Sequence, residues 1–158
     1  MPYCEWAIDR SLAASLLGWP VRADDRNIGA QTYTIDEMNA LADALYLDNL
    51  TCTIRAPVYS KKTTADDGRV FYGDGLIRNV ADMDKLALPD PRDDAPYAKA
   101  EEVVKGKGKR AAVFATRIGV FPAMLSMGIE TFSLSLLDDP SFAEAMMDAY
   151  FDWAGAVA

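Results

Sequence analysis

Apolar and polar positions alternate most tellingly over Ala111–Phe132, AAVFATRIGVFPAMLSMGIETF. The stretch opens with an apolar run, Ala111–Ala115, of the length and make-up of a strand buried on both faces. Thr116-Arg117-Ile118-Gly119 then breaks the run where a parallel strand would deliver its C-terminal end. Pro122 suits the first turn of a following helix, because the N–H it lacks would have no partner there. In α/β folds this strand-to-helix junction is where ligands are held.

The rest of the chain reads as approach or support. Met1–Trp6 is apolar-leaning and is expected as an incoming strand. Asp9 caps a helix from Arg10, with Leu12, Leu16 and Leu17 on one face and Gly18 closing it. Pro20–Gln31 has no apolar rhythm and is read as loop. Thr34 and Glu37 have capping-box spacing, and Met38, Leu41, Ala42 and Leu45 follow as a buried stripe. Leu50–Tyr59 is rich in β-branched residues and is expected as a strand ended by Pro57. Ser60–Gly68 reads as a polar turn, Arg69–Tyr72 as the returning strand of a hairpin, and Gly73-Asp74-Gly75 as punctuation. One helical turn is expected over Asp82–Leu86, and irregular chain around Pro89 and Pro91. A helix from Pro96 to Lys105 should carry Ala100, Val103 and Val104 inward. Leu136–Pro140 stops a short helix, and Ser141 to Glu144 repeats the capping-box spacing. The last helix sets Phe142, Met146, Tyr150, Trp153 and Val157 at helical intervals, a stripe typical of core. Nothing after Ala158 supplies a partner surface for it, which suggests a fragment. From about residue 95 onward helix and strand alternate, as in a parallel α/β layout.

Composition narrows the chemistry. At 158 residues, 51% hydrophobic and 25% charged, the chain matches one ordinary globular domain, 1–158. The net charge of −8 is scattered rather than blocked, which argues against a nucleic-acid partner. The basic cluster Lys105–Arg110, KGKGKR, reads as a solvated turn rather than a phosphate loop. Cys4 and Cys52 have no metal-ligand spacing and are read as reduced, buried thiols of a cytoplasmic protein. No run has the length of a membrane span, and no signal peptide is evident. Histidine is absent, so neither a Ser-His-Asp nor a Cys-His system, nor a His-bearing zinc site, can be built from these residues alone.

Several segments, in order, carry a resemblance: Glu5-Trp6-Ala7-Ile8-Asp9, Leu86-Ala87-Leu88-Pro89-Asp90-Pro91, Pro96-Tyr97, the stretch Ala111–Phe132, and Leu137-Asp138-Asp139-Pro140. Together they resemble the uroporphyrinogen decarboxylase superfamily, nearest its divergent branch that includes corrinoid-linked methyltransferases. The resemblance implies an α/β fold, a (β/α)8 TIM barrel. Such barrels take about 250 residues, so this chain is expected to hold the N-terminal decoration and the first two or three βα units. True decarboxylases of the family open with an arginine-rich motif of the type RQAGRY, which nothing here matches. They also end the first barrel strand with an aspartate that accepts pyrrole N–H bonds; Arg55 falls near that position and cannot accept them. The resemblance therefore implies methyl transfer involving a corrinoid protein ahead of tetrapyrrole decarboxylation. A non-catalytic truncated product is a third class. Zinc belongs to later strands of a longer parent, not to this chain.

Candidate site residues follow from position. Arg117 succeeds the apolar strand, where a bidentate donor would meet an anionic group of a small-molecule substrate; the alternative is an arginine paired with a carboxylate on the rim. Arg55 has the same location on the earlier strand and the same alternative. Glu5 and Asp9 would line the mouth if Met1–Trp6 leads into it, although Asp9 also serves as a helix cap. Tyr59 and Asp74 are further candidates that turn chemistry alone would explain. The isolated chain is expected to turn nothing over, to need no membrane, and to be capable of association through an open barrel edge.

Overall fold

The structure is a computed structural model and describes residues 2–22, 33–66 and 70–158. The chain divides into two compact units, each assembled from segments distant in sequence. One comprises Met1–Thr53, Thr64–Val70 and Tyr97–Ala115, the other Ile54–Thr63, Phe71–Pro96 and Thr116–Ala158.

In the first unit a short parallel sheet pairs β1 (Asn49–Thr53) with β4 (Ala111–Ala115), in a register running from Asn49 opposite Ala111 to Thr53 opposite Ala115. Parallel strands need a long crossover, and α3 (Ala98–Gly106) lies within it and packs on both strands. Ahead of the sheet come α1 (Arg10–Leu17) and α2 (Ile35–Ala44). The capping box at α2 forms as its spacing requires: Thr34 Oγ1 accepts from the Glu37 N–H, and Glu37 accepts from the Thr34 N–H. Ala100 and Val103 face inward from α3, whereas Val104 is exposed.

Local pattern misjudges several elements here. In α1, Asp9 and Gly18 cap as expected, Gly18 in the left-handed region at φ 68°, but Leu12 and Leu16 are exposed. The buried face is Arg10, Ala13 and Ala14, because the Arg10 guanidinium reaches Glu37 and the ring of Trp19, 5.7 Å away. Met1–Trp6 is not a strand over its described residues. It runs along β1, held by side chains as well as backbone: the Asn49 amide accepts from the Glu5 N–H and donates to the Glu5 carbonyl, much as a strand neighbour would. β1 ends at Thr53, short of Pro57. Ala111–Ala115 is a strand, yet it is not buried on both faces: Val113 and Phe114 are 39% and 46% exposed, and among the described residues β4 pairs on one side only. Cys52 is buried, but Cys4 is exposed.

The second unit holds all but one terminal residue of each of β2 (Ser60–Thr64) and β3 (Val70–Gly75), which pair, then α4 (Val120–Met127), α5 (Ile129–Asp138) and α6 (Pro140–Val157). The hairpin is thus built one segment later than patterning suggests. Ser60–Thr64 is its first strand rather than a turn, and Gly73-Asp74-Gly75 belongs to the second. Residues 23–31 of the expected loop, 67–68 of the expected turn and 69 of the expected returning strand lie outside the described residues. Gly75 is required by contact: a Cβ there would stand 2.0 Å from the Met127 carbonyl carbon. A six-residue 3-10 helix, Val80–Lys85, replaces the expected helical turn, and Ala95–Tyr97 forms another before α3.

Three helices make the core of this unit, each packing on the other two. Phe142, Met146, Tyr150 and Trp153 are buried along α6, so that its apolar stripe has its partner surface in α4 and α5. Asp139, not Ser141, caps α6, accepting from the Phe142 N–H with Pro140 in the first turn. Pro122 is a buried third residue of α4. Among the described residues no single helix is long and apolar enough to cross a membrane; α4 and α5 would reach that length only together, and they are bent by 106°. Among the described residues both sheets are two-stranded and do not form a closed barrel.

Candidate functional site

β1 and β4 finish opposite each other, at Thr53 and Ala115, and run in the same direction. In both, the second residue beyond the strand is an arginine. Arg55 and Arg117 therefore leave neighbouring strand ends at equivalent positions, and both belong to the second unit. They are close enough to oppose each other. Burial first, and then the Arg117 charge, pull the Arg55 guanidinium below its ordinary pKa, while the Tyr72 phenol acts in the other direction. Both arginines are half-buried. Arg117 lies over the Phe121 ring, 4.8 Å from its centre. Among the described residues no carboxylate pairs with either one, so the rim ion pair that sequence left open for each is not formed. The buried Thr116 hydroxyl next to Arg117 also has no hydrogen-bond partner, nor has the buried Ser60 hydroxyl of the same unit.

The backbone behind Arg55 is held firmly. Tyr150 Oη donates to the Pro57 carbonyl (2.9 Å) and lies 2.7 Å from Ser126 Oγ, which accepts from the Tyr59 N–H at 3.0 Å. The Leu76 N–H adds a bond to the Tyr59 carbonyl. Beyond Arg117, Gly119 turns the chain into α4 at φ 38°, a conformation that disfavours side chains. Both arginines thus emerge from constrained segments. Two unneutralised guanidiniums of this kind bind an anion, or stabilise negative charge as it develops.

The other candidates separate. Tyr59 is structural: its hydroxyl donates to the Ala87 carbonyl. Asp74 is exposed and is spent on Arg78, at 3.1 Å, and Lys61, at 3.6 Å. Asp9 is the helix cap, accepting from the Ser11 N–H at 2.9 Å. Glu5 does line a cleft, one built entirely within the first unit. Sequence reasoning passed over Thr116, whose place beside Arg117 was the available signal, and Tyr72, which nothing in the sequence marks. In the basic cluster, Arg110 is tied to the Leu47 carbonyl, Asn39 and Asp43, and Lys107 to the Arg110 carbonyl, a structural use rather than a phosphate loop.

The chain matches no family model, no curated protein and no solved structure. Among the described residues no group of three or more Cys, Asp or Glu is placed to hold a metal ion.

Proposed function

We propose that this chain is the anion-binding part of an enzyme of the uroporphyrinogen decarboxylase-like superfamily, of the corrinoid-linked methyltransferase type, with a partial (β/α)8 barrel as its architecture. The observation that supports this reading is the pair of arginines leaving adjacent parallel strand ends without a carboxylate partner. That placement corresponds to the ligand-binding end of parallel strands in α/β barrels. Arg55 and Arg117 hold an anionic group of a small substrate, and the Thr116 hydroxyl supplies a further donor. Decarboxylation of a tetrapyrrole is the weaker alternative, since Arg55 presents a cation where that chemistry needs an acceptor. The methyl group would reach or leave a corrinoid protein, and zinc, where required, would come from outside this chain.

Titration of the purified chain with citrate, followed by calorimetry, tests the reading. Binding is expected, weakening about tenfold or more in Arg55→Ala and in Arg117→Ala, since charge-assisted bonds contribute roughly 1.5–3 kcal/mol each. Undiminished binding in the double variant would remove its basis. Neither methylcobalamin nor uroporphyrinogen should be turned over by the isolated chain; appreciable turnover of either contradicts the incomplete-site reading.

A second reading draws on β4. Its Val113 and Phe114 are exposed and, among the described residues, one of its edges is unpaired, which suits a non-catalytic piece that pairs with another polypeptide.

A further inference from the structure

The cleft of the first unit shares no residue with the arginine pair and is independent of the reading above. Trp6, Ile8, Tyr33, Met38, Leu41 and Ala42 supply most of its apolar wall, with the Cys52 residue of β1 in the lining. It is half-open and has a volume of about 140 Å³. A water molecule needs only a small fraction of that space, whereas an apolar cavity of roughly 150 Å³ accepts benzene.

Several of the polar groups in the lining are already committed, leaving the Glu5 carboxylate and the Thr53 hydroxyl. The Asn49 amide serves the Glu5 backbone on both sides and also donates to Thr51 Oγ1 at 2.8 Å. Thr51 donates to the Glu5 carbonyl, and Tyr33 donates to the Ile8 carbonyl, each at 3.0 Å. Lys99 is paired with Glu102 at 2.7 Å. Ordered water in such a space needs two to four polar partners, and these groups offer few. An anion would lose its hydration against apolar walls and meet Glu5 besides. A flat, uncharged ring suffers neither penalty and covers apolar surface that is otherwise in contact with water.

We propose that this cleft binds a small uncharged aromatic molecule, one ring in size, between the segment Trp6–Ile8, α2 and β1.

Cys52 provides the readout. In the full chain carrying Cys4→Ser it is the sole thiol, buried in the cleft wall. Its rate of labelling by a disulfide reagent is measured with toluene and with benzoate. Toluene at ten times its dissociation constant should slow labelling about tenfold, and benzoate should leave the rate unchanged. Ala42→Leu, which fills the space, should abolish the toluene effect. Should that variant fail to fold, amide shifts in the Cys4→Ser chain serve instead, with toluene moving Met38, Leu41 and Leu50. Unchanged labelling with toluene, equal protection by benzoate, or shifts confined to residues of the second unit would overturn the assignment.

Discussion

The Tyr150 hydroxyl is enclosed in the second unit, and burial pushes its pKa up to about 12, with the Ser126 bond acting in the opposite sense. A phenol raised in the folded state contributes stability that is complete below the ordinary value of about 10. That contribution disappears as pH rises toward 12. Tyr150→Phe should cost about 1–3 kcal/mol at neutral pH, because the Pro57 carbonyl loses its donor. Urea melts at pH 8, 10 and 12 should show the two proteins converging as the wild-type phenol ionises. In the first unit, Glu37 works in acid. Burial raises its pKa, but the Arg10 hydrogen bond, the Thr34 N–H and the nearby charges of Arg10 and Arg22 outweigh burial and hold it below the usual value of 4.5. Its stabilisation is therefore present above that value and lost as pH falls below it. Glu37→Gln should be less stable than wild type at pH 7, and the gap should close toward pH 2–3, as followed by circular dichroism. A gap of constant size would mean that charge is not the cause.

Elements differ in how local their causes are. The start of α2 was legible because both halves of its capping box lie within four consecutive residues. The same spacing misled at α6, where Pro140 occupies the first turn and moves the cap back to Asp139. Thr34→Ala should accordingly cost about 1 kcal/mol, and Asp139→Ala a similar amount. Ser141→Ala should change the melting free energy by less than about 0.5 kcal/mol; a larger loss would restore Ser141 as the cap. The buried face of α1 was not legible, since the partners that draw Arg10 inward are Glu37 and Trp19 rather than residues of its own helix. Gly75 is a sharper case. Its substitution by Ala drives a Cβ into the backbone between Met127 and Gly128, so Gly75→Ala should lower the melting temperature far more than Gly108→Ala, where nothing lies within 4 Å and only the positive φ of 61° is strained.

At the scale of the whole molecule, exposed Val113 and Phe114 on a strand with a free edge predict self-association. Sedimentation should show the wild-type chain growing in mass with concentration, and Phe114→Lys reducing that growth without loss of helical signal. A wild-type chain that stays monomeric throughout would contradict the second reading of function. The candidate site was half legible. Arg117 follows a strand-like run and Arg55 lies toward the end of another, which is what made them candidates. That the two strands are neighbours, and so bring the arginines together, depends on a pairing between residues 49–53 and 111–115 that no local pattern encodes.

Short-range chemistry was settled by the sequence alone. The caps of α1 and α2, the strand at Ala111–Ala115, the core stripe of α6 and the lack of histidine each depend on residues a few positions apart or on composition. Tertiary structure decided what required distant groups to meet: the parallel pairing, the Asn49 amide that holds Glu5, the network around Tyr150, and the exposure of β4. Burial is a property of neighbours in space. An apolar residue states a preference for being covered, and only the fold determines whether anything covers it.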